Sequence, residues 1–155
     1  MKTVVQRVSR ASVRVSGKET GRIGPGLLLL LGVRAEDDEA EAVYLAEKIA
    51  NLRVFGDDEG RMNLSLLDTG YSALIVSQFT IHGEMKKGRR PSFTAAAPPE
   101  LAEALYEGFI RKLSDLGVLV ASGVFGAMME VELVNDGPVT IILSSKNEWA
   151  LPRLD

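Results

Sequence analysis

The sequence predicts an α+β fold: one domain, a mainly antiparallel β-sheet or partly open barrel, and two main helices. Three observations carry that prediction. Segments with a two-residue apolar period open and close the 155-residue chain, two segments between them space apolar residues as helices do, and no linker or repeat divides them. Hydrophobic residues at 46% and charged residues at 25% allow a chain of this length to bury a core, which argues against intrinsic disorder.

The elements follow in order. Val4, Gln6 and Val8 alternate with Thr3, Val5 and Arg7, and Val13 and Val15 repeat the period, so short strands are expected around a hairpin turn at Ser16-Gly17-Lys18. A second turn, Ile23-Gly24-Pro25-Gly26, feeds Leu27–Val33, whose unbroken hydrophobicity predicts a central strand buried on both faces. Asp37, Asp38 and Glu39 oppose a helix dipole at its N-terminus, and Ala42, Leu45, Ile49 and Leu52 recur at helical spacing, which predicts a helix over 37–52. Gly56–Gly60 is turn-rich, and Ala73–Phe79 reads as a strong strand. A long loop, Thr80–Ala97, separates it from a helix opened by Pro98-Pro99-Glu100, lined by Leu101, Leu105, Phe109, Leu113 and Leu116, and stopped at Gly117. Val118–Ala121, Met129–Val134 and Val139–Leu143 complete the strands, with Met129, Val131 and Leu133 facing inward. Residues 1–145 form the domain, and Lys146–Asp155 reads as a C-terminal tail.

Composition narrows the chemistry. A net charge of −3 argues against broad, non-specific nucleic-acid binding, so any RNA contact requires a local patch. The chain has no cysteine, which removes disulfides and thiolate chemistry and fits a reducing cytosol. With a single histidine, a structural metal is not expected, and the absence of Gly-x-Gly-x-x-Gly and Gly-Lys-Ser/Thr patterns gives no sign of a nucleotide cofactor. Leu27–Val33 is far short of the roughly 20 residues of a membrane span, and no signal peptide is apparent, so a cytoplasmic location is expected. A serine triad would have to use His82, and no Gly-x-Ser-x-Gly elbow surrounds any serine. His82 itself reads as a solvated surface histidine without a role.

Three stretches remain as site candidates. Ser77-Gln78-Phe79-Thr80 is either a buried strand end with Phe79 in the core, or a set of backbone N–H groups facing a cleft where they stabilise the oxyanion formed when water attacks an ester. A nucleophilic Thr80 would need an adjacent base, and none is evident. Asn135-Asp136-Gly137-Pro138 is either a plain turn between strands or a cis Gly137–Pro138 bond whose carbonyls hold an ammonium group and exclude a side chain of the wrong hand. Lys86-Lys87-Gly88-Arg89-Arg90-Pro91-Ser92-Phe93 is the strong basic run of an acidic chain, either a solvated loop or a contact for phosphates at an RNA end.

Read together, these stretches resemble the D-aminoacyl-tRNA deacylase family. The resemblance extends from Met1 to about Leu143 through Val5–Ala11, Gly24–Leu27, Lys48–Arg53, Met62–Ser65 and the two signatures at 77–80 and 135–140. It implies hydrolysis of the ester joining a D-amino acid, or glycine mischarged on tRNA-Ala, to the 3′ end of tRNA: chiral proofreading without a cofactor. It also implies a homodimer in which Ser77, Gln78, Phe79 and Thr80 of one chain meet a cis Gly137–Pro138 reaching across from the other. Met129 is expected to line the pocket, and Lys86, Lys87, Arg89 and Arg90 to contact tRNA. Activation of water by the tRNA's terminal 2′-hydroxyl, another family expectation, fits the lack of a general base in the motifs. Ile81-His82-Gly83-Glu84 departs from the family pattern, as does the tail from Lys146 to Asp155. A non-catalytic RNA- or DNA-binding module using Lys86–Arg90 is the alternative.

Overall fold

The computed structural model describes residues 1–86 and 88–146. Lys87 and the tail beyond Lys146 lie outside the described residues. The chain runs β1 (Lys2–Val15), β2 (Lys18–Ile23), β3 (Gly26–Gly32), α1 (Glu39–Ala50), β4 (Phe55–Gly56), β5 (Met62–Leu64), α2 (Leu66–Thr69), β6 (Ser72–Ser77), a 3₁₀ turn at Phe79–His82, α3 (Pro99–Asp115), β7 (Leu119–Ser122) and β8 (Glu130–Ser144).

β1 is the spine of the sheet. Along one edge its first half pairs with β3 and its second half with β2; along the other it pairs with β8, all antiparallel. The opening segment is thus one 14-residue strand where the sequence suggested short ones. Ser9 and Arg10, exposed beside a register shift, lie within the strand and do not end it. β3 then pairs with β6 and β6 with β7 in parallel, through crossovers that carry α1 and α3. The sheet curls until β2 approaches β7: a Cβ on Gly21 would lie 2.8 Å from the Ser122 carbonyl oxygen. The result is a nearly closed barrel.

Burial explains why β3 carries no polar alternation. Leu27, Leu29 and Leu31 face the helices together with Ile49, Leu105, Phe109 and Leu113, whereas Leu28 faces the barrel interior with Val8, Val13, Leu74 and Val76. Each such leucine, fully withdrawn from water, contributes about 1.5–3 kcal/mol. The helices begin where local chemistry directs. Asp38 caps α1 in a reciprocal box with Glu41, Pro99 opens α3, and Gly117 follows α3 at φ +99°.

The segment 130–144 differs from the expected pair of strands joined by a turn. It is a single strand that stays against β1 on both sides of residues 135–139, Val8 facing Asn135 and Gln6 facing Thr140. Asp136–Val139 form a bulge opposite Arg7, because the extra residues have no partner on β1 and are extruded from the ladder.

Candidate active site

β6 ends in register with β3, Ser77 beside Leu31, and the Gln78 N–H donates to the Leu31 carbonyl at 2.8 Å. The backbone then leaves the sheet at Gln78 and winds into the Phe79–His82 turn, closed by Gly83 N–H donating to the Thr80 carbonyl at 3.0 Å. Gly32 makes this possible. A Cβ there would lie 2.7 Å from Ile81 Cγ1, 2.8 Å from His82 Nε2 and 2.9 Å from the Gln78 carbonyl, so the turn sits in a notch only glycine leaves open. At the start of a 3₁₀ turn the first N–H groups precede any i−3 partner within it, and here those groups belong to Phe79 and Thr80, both exposed residues.

The side chains sort differently from the expectation of a buried strand end. Phe79 is 56% exposed and packs edge-to-face on Phe93, with ring centroids 5.2 Å apart, rather than entering the core. The Gln78 amide donates to Thr80 Oγ1, so the threonine hydroxyl is held by a group with no basicity. Phe93 also joins the site to the basic run. Glu84 and Ser92 exchange backbone hydrogen bonds of 2.8 and 2.9 Å, which makes 84–92 a hairpin-like finger with exposed Lys86, Arg89 and Arg90 near its tip.

The second signature stands elsewhere on the sheet. Gly137–Pro138 is a cis peptide, with Gly137 at φ +118°, and both residues are exposed. Arg7 clamps the bulge. Its Nε donates to the Asp136 carbonyl at 3.2 Å and pairs with the Asp136 carboxylate at 3.2 Å, while Nη1 donates to the Val54 carbonyl at 2.6 Å. Asn135 Nδ2 closes the base of the bulge by donating to the Arg7 and Val139 carbonyls. β1 and β3 lie between this bulge and β6, so one chain does not bring Gly137–Pro138 to Ser77–Thr80. The Met129 sulfur covers Gly123, and its side chain packs on the barrel-interior cluster of Val13, Leu28 and Leu74.

The family profile described as D-Tyr-tRNA(Tyr) deacylase matches residues 4–144. The chain belongs to that family. Proteins named D-aminoacyl-tRNA deacylase from Roseiflexus castenholzii and Koribacter versatilis are 62% identical over 145 residues and 60% identical over 149. Those alignments cover 94% of this chain and 92% of the first relative, and 96% of this chain and all of the second. A solved structure titled c-Myc DNA Unwinding Element Binding Protein superposes with a TM-score of 0.89 at 46% identity, covering 94% of this chain and 99% of its own. A second, titled as a probable eukaryotic D-amino acid tRNA deacylase, matches the fold at a TM-score of 0.79 and 18% identity, covering 92% and 97%.

Placed in the deacylase family, the chain shows residues that motif reading passed over. Arg7 lies within the Val5–Ala11 stretch that carries the resemblance, yet nothing local marks it as the clamp on a bulge 129 residues away. His82, expected at the surface, is 4% exposed, with Nδ1 accepting from Arg34 Nε at 3.4 Å. Burial chiefly lowers its pKa, the Gly32 backbone opposes this, and the charges of Arg34, Lys2 and the N-terminal ammonium lower it further. Its only sequence signal is Gly32 at the end of the neighbouring strand, a meaning that emerges only with the fold.

Proposed function

We propose that this member of the deacylase family hydrolyses the ester bond of D-aminoacyl-tRNA, and of glycyl-tRNA mischarged on tRNA-Ala, releasing the free amino acid and tRNA. The observation that carries the reading is the split of the two signatures, one at the β6 end and one on an exposed bulge two strands away. Such halves make one site when two copies associate. In the dimer, Ser77–Thr80 of one protomer face Gly137–Pro138 of the partner subunit.

Chemically, water attacks the ester carbonyl and the oxyanion is taken by the Phe79 and Thr80 N–H groups, positioned before reaction and therefore without reorganisation. The substrate's terminal 2′-hydroxyl orients the attacking water and relays its proton to the departing 3′-oxygen as the ester C–O bond breaks, since Thr80 Oγ1 faces only an amide. The bulge of the partner subunit excludes side chains of L configuration, and Lys86, Lys87, Arg89 and Arg90 take the phosphates of the acceptor end. β8 suits the self-association. Among the described residues it has a strand on one edge only, and Val134 and Ile142, on either side of the bulge in sequence, are 38% and 50% exposed. No helix among the described residues is long and apolar enough to cross a membrane, and a tRNA substrate places the work in the cytoplasm.

A nucleic-acid-binding module without catalysis is the second reading, favoured by the name of the structural relative that is 46% identical. The two part on one experiment: purified protein is incubated with D-tyrosyl-tRNA and L-tyrosyl-tRNA without added metal or nucleotide. Loss of the aminoacyl group from the D form alone is the expected result. Intact esters together with salt-sensitive binding to many nucleic acids would replace the hydrolase by the binding module.

A further inference from the structure

His82 ends the site turn and is the chain's single histidine. Its imidazole fills the notch left by Gly32, and Arg34 Nε donates to its Nδ1. That contact leaves the ring proton on Nε2, a buried atom that abuts the Gly32 backbone without hydrogen-bond geometry. Arg34 is itself fixed by main-chain contacts. Its N–H donates to Asp37 Oδ2 at 2.6 Å, it bridges Ala96 across the chain, and the adjacent Ala35 and Val33 bond Ala95 and Ala97 on the returning limb of the basic finger. The imidazole therefore connects the 3₁₀ turn, the end of β3 and the base of the finger.

We propose that His82 is a positioning residue for deacylation: seated against Gly32 and held at Nδ1 by Arg34, it keeps the Phe79 and Thr80 N–H groups aimed at the developing oxyanion. The proposal rests on the reading of that turn as the oxyanion-binding element. His82 does not touch the ester. Its neutral form is required, because a proton on Nδ1 would turn the acceptor into a cation facing the Arg34 guanidinium, with Lys2 and the N-terminal ammonium also contributing repulsion. A small rotation of the turn suffices to matter, since displaced catalytic donors cost about tenfold or more in rate.

Two variants separate positioning from packing. His82→Leu fills the notch but offers no acceptor; His82→Asn places an amide oxygen near the Nδ1 position. With D-tyrosyl-tRNA, His82→Leu should lose about tenfold in kcat with little change in KM, and His82→Asn should recover most of it. A second readout does not depend on activity. In NMR titrations the amide shifts of Phe79 and Thr80 should follow the imidazole with one midpoint below 6.5, the ordinary histidine value, and their hydrogen exchange should accelerate in His82→Leu but not in His82→Asn. Folded His82→Leu with wild-type kcat, or amide shifts that stay flat while the imidazole titrates, would overturn the proposal. Failure of the wild-type protein to cleave D-tyrosyl-tRNA would instead count against the hydrolase reading, and the NMR arm would still judge His82.

Discussion

Arg7 occupies the place where Gly137 would carry a side chain: a Cβ on Gly137 would lie 2.5 Å from Arg7 Nη2. The guanidinium cannot simply swing aside, because it is bonded to the Asp136 carbonyl on one side and the Val54 carbonyl on the other. Gly137 also sits at φ +118°, a region costly to any residue with a Cβ. Gly137→Ala should therefore destabilise the fold by about 1–3 kcal/mol while displacing the bulge. Denaturant unfolding and D-aminoacyl-tRNA hydrolysis measured on one preparation would show a modest stability change beside a loss of activity at least tenfold larger than unfolding explains. Unchanged hydrolysis would remove the bulge from the site.

The ammonium of Met1 and Asp37 Oδ1 meet at 2.6 Å with both side chains shut off from solvent. Burial works against the charged carboxylate, yet the ammonium and the Arg34 N–H, which donates to Oδ2, outweigh it and hold the Asp37 pKa below its ordinary value. The sign follows. A carboxylate with a depressed folded pKa contributes stability above its unfolded pKa of about 4, and that contribution disappears as the pH falls through the folded value. Asp37→Asn leaves the ammonium buried beside a neutral amide, so it should cost on the order of 3 kcal/mol at neutral pH. Thermal unfolding of both proteins across pH 2–7 checks the linkage: the stability gap between them should narrow in acid, and a constant gap would separate Asp37 from the acid response.

Legibility followed the range of the forces involved. β3 could be read because a strand buried on both faces needs no polar alternation, and α1 and α3 because caps and apolar stripes are local. The run of Asn135–Pro138 was ambiguous for a physical reason: the same residues suit a tight turn and a bulge, and only pairing of both flanks with β1 distinguishes them. Likewise, the alternations at Val4–Val8 and Val13–Val15 read as separate short strands, although β8 carries the ladder across Ser9 and Arg10 between them. At the site, the order Ser77–Thr80 was visible, but the exposure of Phe79 and the burial of His82 depend on Gly32 and Phe93, contacts made across the fold.

The basic finger gives an ionic-strength prediction. Lys86, Arg89 and Arg90 are exposed on a closed hairpin-like loop, so replacing them should alter binding while sparing the core. Changing all three to Ala should raise KM for D-tyrosyl-tRNA, leave kcat nearly unchanged, and reduce the slope of log affinity against log salt by roughly 0.7–0.9 for each phosphate no longer neutralised. Titrations at several salt concentrations provide the slope. An unaltered slope would return the finger to an ordinary solvated loop.

The Thr80 position can separate backbone from side-chain chemistry and, with Gly137, test whether the site spans two chains. Thr80→Val keeps the N–H but removes the hydroxyl that Gln78 holds, and should retain activity within about tenfold if the hydroxyl is no nucleophile. Thr80→Pro removes the N–H at an early turn position where proline's fixed φ is tolerated, and should lose about 10²–10³ in kcat as an oxyanion donor disappears. Alone, Thr80→Pro and Gly137→Ala should each retain no more than about a tenth of the wild-type rate. If the site spans two chains, co-refolding them in equal amounts should give mixed dimers in which the intact turn of the Gly137→Ala chain meets the intact bulge of the Thr80→Pro chain. Half the dimers are mixed and each has one sound site of two, so about a quarter of the wild-type rate should return. Recovery requires subunit exchange, which mass spectrometry of differently tagged chains verifies. Mixed dimers without recovered hydrolysis would place each site within a single chain.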